Sequence, residues 1–172
     1  MEQQSSDWIG ELLSWIENTP LAVAIAGSDW AFPIIETVHV IALALLLGTV
    51  CVADLRLLGW ASTERPYREV ARESLPWAWI AFAAAAISGT LMFITKAAEY
   101  YENAAFRTKA VLLLLAGLNM LIFELATARD AANWDRARSI PWAGRVAAAL
   151  SLLLWISIVF CGRRIGFTMT PN

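Results

Sequence analysis

The chain has a single histidine, His39, three residues after Glu36 in the run Phe32-Pro33-Ile34-Ile35-Glu36-Thr37-Val38-His39-Val40. Residues three apart on a helix share a face, so this carboxylate and imidazole project together. An imidazole can ligate a metal or exchange a proton, and a neighbouring carboxylate can orient it. Glu-x-x-His is also half of a di-iron carboxylate site, but that site needs a second such motif and two further carboxylates, which the sequence lacks. Ser88, Asn119 and Trp155 are the other polar or amphipathic side chains deep in apolar runs, with Met92 and Met120 as soft sulfur donors. Ser88 has no base and oxyanion-stabilising partners that would make it a nucleophile, and it reads as a packing hydroxyl.

The segments that must position these residues are strongly apolar. Of 172 residues 59% are hydrophobic and 16% are charged, whereas a soluble domain carries roughly 25% charged residues. Four runs are long enough for a hydrocarbon core, which takes roughly 20 apolar residues: Trp30 to Ala53, Leu75 to Thr95, Phe106 to Thr127, and Pro141 to Cys161. The expected fold is all-α, a four-transmembrane-helix bundle with the lipid bilayer as its main partner. The formal net charge is -2 and the 13 Lys and Arg are scattered, which excludes nucleic acid, whose phosphates need a concentrated basic face.

Arg56, Arg65, Arg68, Arg72, Arg129, Arg136, Arg138 and Arg145 flank the spans on one side; Lys96, Arg107, Lys109, Arg163 and Arg164 flank them on the other. Basic residues accumulate on the cytoplasmic side, so the larger set is expected there and both termini outside. Met1 to Ser28 contains no Lys or Arg, so it lacks the basic region of a secretory signal and is expected to be retained. Trp8, Ile9, Leu12, Leu13 and Ile16 recur at helical spacing, which predicts a short amphipathic helix on the membrane surface, ended or bent by Pro20. The chain thus divides into an interfacial helix and linker at 1–28, the four-helix domain at 29–167, and a short tail at 168–172. Ser74-Leu75-Pro76-Trp77 and Ser139-Ile140-Pro141-Trp142 predict two helix starts, each with a Ser cap, an early Pro and an interfacial Trp. Either a duplicated hairpin or convergence on one entry grammar accounts for the likeness.

Counting at about 1.5 Å per residue from the expected span ends puts His39 about 13 Å below the outer boundary, with Ser88, Asn119 and Trp155 expected at the same level. Glu36 lies one turn nearer the outside, where Lys96 and Lys109 are expected to reach it and a quinone headgroup is a candidate guest. Cys51 and Cys161 fall near opposite membrane faces, about 30 Å apart, too far for a disulfide or a shared metal. Glu124 is expected about 25 Å deep, too far from His39 to share a metal.

A membrane histidine on a four-helix scaffold is a natural axial ligand for haem, and without a C-x-x-C-H motif only non-covalent haem b is expected. Met92 or Met120 would supply a second axial ligand, or a second copy of the chain would. His39, Met92 and Met120 also suit copper. A structural polar layer within a scaffold subunit, with Ala81, Ala85, Ser88 and Gly89 as a close-packing face, accounts for the same residues without any ligand.

Glu36-Thr37-Val38-His39-Val40-Ile41, Asp54-Leu55-Arg56-Leu57-Leu58-Gly59, Ala105-Phe106-Arg107-Thr108-Lys109 and Gly117-Leu118-Asn119 together resemble a family of uncharacterised bacterial four-helix membrane proteins, a domain of unknown function. The likeness runs from Trp30 to Phe167. The chain is more distantly similar to copper-resistance D-type membrane proteins and to small cytochrome b membrane subunits. Members of the resembled family often carry a histidine after the third-span Phe, where this chain has Glu124 after Phe123, and that departure argues against a two-histidine site. The resemblance implies a bacterial inner-membrane location. The expected function is a haem b-binding electron-transfer subunit, in a homo-oligomer or a larger redox complex. His39 would be the ligand to the metal, Glu36 would orient it, and Ser88, Asn119, Trp155 and Met120 would line the pocket.

Overall fold

Pro33 falls in the first turn of the first long helix, where backbone N–H groups have no intrahelical partner, so it opens the helix without costing a bond. The computed structural model describes residues 2–136 and 139–169; Arg138 and residues 170–172 of the expected tail lie outside the described residues. The chain is all-α: α1 (Glu2–Glu17), α2 (Pro20–Ala26), α3 (Ala31–Leu58), α4 (Tyr67–Thr95), α5 (Ala97–Glu102), α6 (Ala104–Ala126), a 3-10 turn at Ala128–Asp130, α7 (Ala131–Arg136) and α8 (Trp142–Thr168). The four long helices α3, α4, α6 and α8 are each long and apolar enough to cross a membrane.

Helix ends follow local chemistry. Gly59 takes a left-handed φ of 78° after α3. Its N–H donates to the Arg56 carbonyl at 3.1 Å, and Trp60 N–H donates to Leu55 at 3.0 Å. This is the paired closure that a C-terminal glycine permits. Asn103 opens α6 by accepting from the N–H of Ala105 at 2.9 Å and of Phe106 at 3.3 Å. Pro20 sits at the first position of α2 with Thr19 as its cap, so part of the expected linker is helical.

The two Ser-Pro-Trp starts are corrected. α4 begins seven residues before Ser74, whose hydroxyl donates to Val70 O at 2.9 Å inside the helix, and Pro76 lies in the helix interior. α8 begins at Trp142 with no side-chain cap. What moves the α4 start is a distant carboxylate: Asp135 on α7 accepts from Tyr67 N–H at 2.8 Å and from Arg68 N–H at 2.9 Å. A carboxylate on two orphan N–H groups also meets the positive end of the helix dipole. Arg65, just before α4, pairs with Glu69 and with Glu73 at 2.6 Å each; the two carboxylates hold its guanidinium more firmly protonated than usual, Glu73 most. Asp135→Ala is expected to cost about 0.5–2 kcal/mol, the range for a lost N-cap. Denaturant titration in micelles measures this, and an unchanged midpoint shows that the cap contributes nothing.

The long helices form two antiparallel hairpins, α3 with α4 and α6 with α8, joined where α3 packs on α8. α4 and α6 meet through rings near both ends, Phe93 stacked on Phe106 at 5.5 Å and Tyr67 edge-on to Phe123 at 5.8 Å. Small residues set the α3–α4 approach: Ala78, Ala81, Ala85 and Ser88 are all buried, as close packing in lipid requires. α1 lies across the end of the bundle formed by α5, where Glu17 accepts from Ala98 N–H at 2.8 Å. Leu13 of α1 is buried while Trp8, Leu12 and Trp15 are exposed, an apolar stripe suited to a membrane interface.

Candidate functional site

His39 sits half-buried on α3 against α4. Its Nδ1 lies 3.0 Å from the Ser88 Oγ. The Ser88 hydroxyl donates to the Ala84 carbonyl at 2.6 Å. A hydroxyl has one proton, so with that proton committed Ser88 accepts from His39, and the imidazole proton is on Nδ1. The Ala85 carbonyl also bonds the ring. Nε2 therefore keeps its lone pair. Gly89 makes the approach possible, since a Cβ there would stand 3.0 Å from His39 Cε1.

Two further groups share this level. Lys109 of α6 lies within electrostatic reach of His39 and of Cys161. Its Nζ would be 3.6 Å from a Cβ on Gly162, so that glycine gives room for the lysine stem. Glu36 is exposed and faces the α5 end, where burial chiefly, then the charges of Glu36 and Glu99, push the Tyr100 phenol above its ordinary range. Lys96 lies 3.7 Å from Glu99, so the expected Lys96, Lys109 and Glu36 cluster is spread over two neighbouring groups.

The single polar layer expected from the sequence is two layers with an apolar one between. Trp155 packs on Leu46, Ala78 and Ala81 and also on Ala116, Leu154 and Ile158, which makes it the plug of the middle layer. α8 runs seven residues past Cys161, and at 1.5 Å each this carries Trp155 about 10 Å deeper than a span ending at Cys161 implies. Asn119 lies ten residues inward of Lys109, about 15 Å along α6, and its Nδ2 donates to the Ala147 carbonyl of α8 at 3.0 Å. Met120, next to it, is 42% exposed and as far from the His39 level. Of the expected pocket residues, the structure brings Ser88 to His39 and leaves Asn119, Trp155 and Met120 deeper. Among the described residues no three His, Cys, Asp or Glu side chains converge on one metal.

The second polar layer is centred on a residue the sequence reading placed outside the spans. Asp54 is inside α3 and only 7% exposed, with its Oδ2 buried and lacking a hydrogen-bond partner among the described residues. The Ser151 hydroxyl of α8 is the neighbour that bonds its carboxyl. Gly59 was the signal that could have found it: a glycine stop five residues later carries the helix past Ala53. Below Asp54, Tyr67 packs on Trp134 at 5.5 Å, and the Trp134 Nε1–H donates to the Thr127 carbonyl at 3.2 Å. This seals the α7 end.

No curated protein and no solved structure matches the chain. Residues 15–168, nearly all of the chain, fit the model described as a family of unknown function, DUF6644, and the chain belongs to that family.

Proposed function

We propose that this protein is a bacterial inner-membrane subunit, its termini on the periplasmic side, that holds haem b through His39 and passes electrons within a larger membrane assembly. The observation that carries this reading is the state of the His39 imidazole. A metal-bound histidine keeps one nitrogen for the metal and gives its other N–H to a fixed acceptor. Here Ser88 takes Nδ1–H, and Nε2 is left as the donor atom. One oriented imidazole fits haem with a single protein ligand from this chain; haem supplies one-electron chemistry when bound. Lys109, as the cation at the same level, would pair with a propionate. Met120 is too deep to serve, and any further protein ligand would be Met92 or a residue of another subunit.

The largely uncovered α6 supports a place in an assembly. In its most apolar stretch only 6% of residues are buried, far fewer than in the other three spans. The same observation favours a second reading, a scaffold subunit that binds no cofactor.

Absorbance of the detergent-purified protein tests both. The expected result is a Soret band, lost in His39→Ala while the helical circular dichroism is kept. No Soret band after haem loading, or a band retained in His39→Ala, overturns the haem reading, and the first outcome leaves the scaffold.

A further inference from the structure

A carboxylate removed from water needs a cation or a set of donors to offset its lost hydration. Asp54 is more than nine-tenths buried, and its Oδ2 has no hydrogen-bond partner among the described residues. Among the described residues the ionisable groups around it do not supply a cation. Arg56, two residues on, is turned away, with its Nε–H donating to the Arg65 carbonyl at 2.6 Å. On its own helix Cys51 is the titratable neighbour. From α4 comes the phenol of Tyr67, on which Asp54, Glu124 of α6 and Asp135 of α7 all act. Both oxygens of Asp135 are engaged by the α4 N-terminus. α8 contributes the neutral Ser151 hydroxyl. An ionised Asp54 would therefore bear its lost hydration with only the Ser151 hydroxyl to offset it among the described residues.

A proton on the carboxyl removes that cost without any cation, and it turns an acceptor-only group into one donor and one acceptor. A route to water is at hand. Tyr67 also lines a groove of 630 Å³ between α4, α6 and α7, together with Arg68, Arg72 and Glu124. Ionisable residues kept inside a membrane bundle are the usual elements of proton relays.

We propose that Asp54 is a proton-binding site in the half of the bundle nearest α7, exchanging its proton with water through the Tyr67 groove. It is separated from the His39 layer by the Leu46, Ala81 and Trp155 plug, and it stands whether or not His39 binds haem.

Infrared difference spectroscopy of the full-length protein in lipid nanodiscs tests it, with carbodiimide labelling as a second measurement. At neutral pH the wild type should show a protonated-carboxyl C=O band that shifts in D2O. Dicyclohexylcarbodiimide, which attacks protonated carboxyls in apolar surroundings, should label the chain at Asp54. Asp54→Asn, nearly the same in shape, should abolish both signals while the helical dichroism is unchanged. Overturning results are a missing band, a band and label that persist in Asp54→Asn, or an ionised carboxylate whose spectrum responds to sodium but not to choline, which assigns the site to a metal cation instead.

Discussion

Trp134→Ala is expected to destabilise the folded protein by about 3–5 kcal/mol, the range for deleting a buried aromatic side chain. Trp134 is 8% exposed and belongs to the largest buried cluster, with Ala53, Leu57, Tyr67, Ala71, Phe123 and Ala148. The cluster draws on five helices at once, α3, α4, α6, α7 and α8. Loss of Trp134 removes area, opens a cavity, and takes away the indole N–H that the Thr127 carbonyl accepts. It also loosens α7, whose Asp135 caps α4, so the effect should exceed that of Asp135→Ala. Trp134→Phe keeps most of the ring and loses chiefly the hydrogen bond, for about 0.5–1.5 kcal/mol. Denaturant titration in micelles reads both variants. A loss for alanine no greater than for phenylalanine would show that the α7 end is not packed as described.

Gly89→Leu is expected to cost about 1–3 kcal/mol through overpacking and to expel His39 from Ser88. The first added carbon alone would stand 3.0 Å from His39 Cε1, inside van der Waals contact, and the rest of the leucine side chain has to occupy the place of the ring. The imidazole can yield only by swinging away from α4, which breaks its bond to Ser88 Oγ. Nitrogen NMR of the labelled histidine distinguishes the tautomers. The wild type should show a protonated Nδ1, and the variant a mixture of both. An unaltered histidine spectrum in Gly89→Leu would mean that the ring does not lie on Gly89, and the tautomer argument for Nε2 would go with it.

The two layers of polar chemistry differ in how far they could be read. His39 and Ser88 are bracketed by long apolar runs, and their depths from the same membrane face were close enough to pair them correctly. Asp54 escaped because hydropathy falls at the first charge and the span was ended at Ala53, although the helix continues to its glycine stop. Counting depth from span ends set by composition puts Trp155 too near the outside, because α8 runs on to Thr168; Asn119 lies deeper because it is ten residues inward of Lys109 on α6.

What the residues determined by themselves was local: four apolar helices, the amphipathic α1, and a histidine that must find a partner. Each follows from sums over a turn or a span, hydrophobic transfer, backbone hydrogen bonding and capping, which neighbours in sequence supply. Tertiary structure alone decided the axial register between hairpins. That offset placed Trp155 between the polar layers, turned Lys109 toward His39, and brought Asp135 to the start of α4, 67 residues away. Register is set by how small residues such as Ala81 and Gly89 let one helix seat against another, and hydropathy is almost unchanged when a helix slides by a turn.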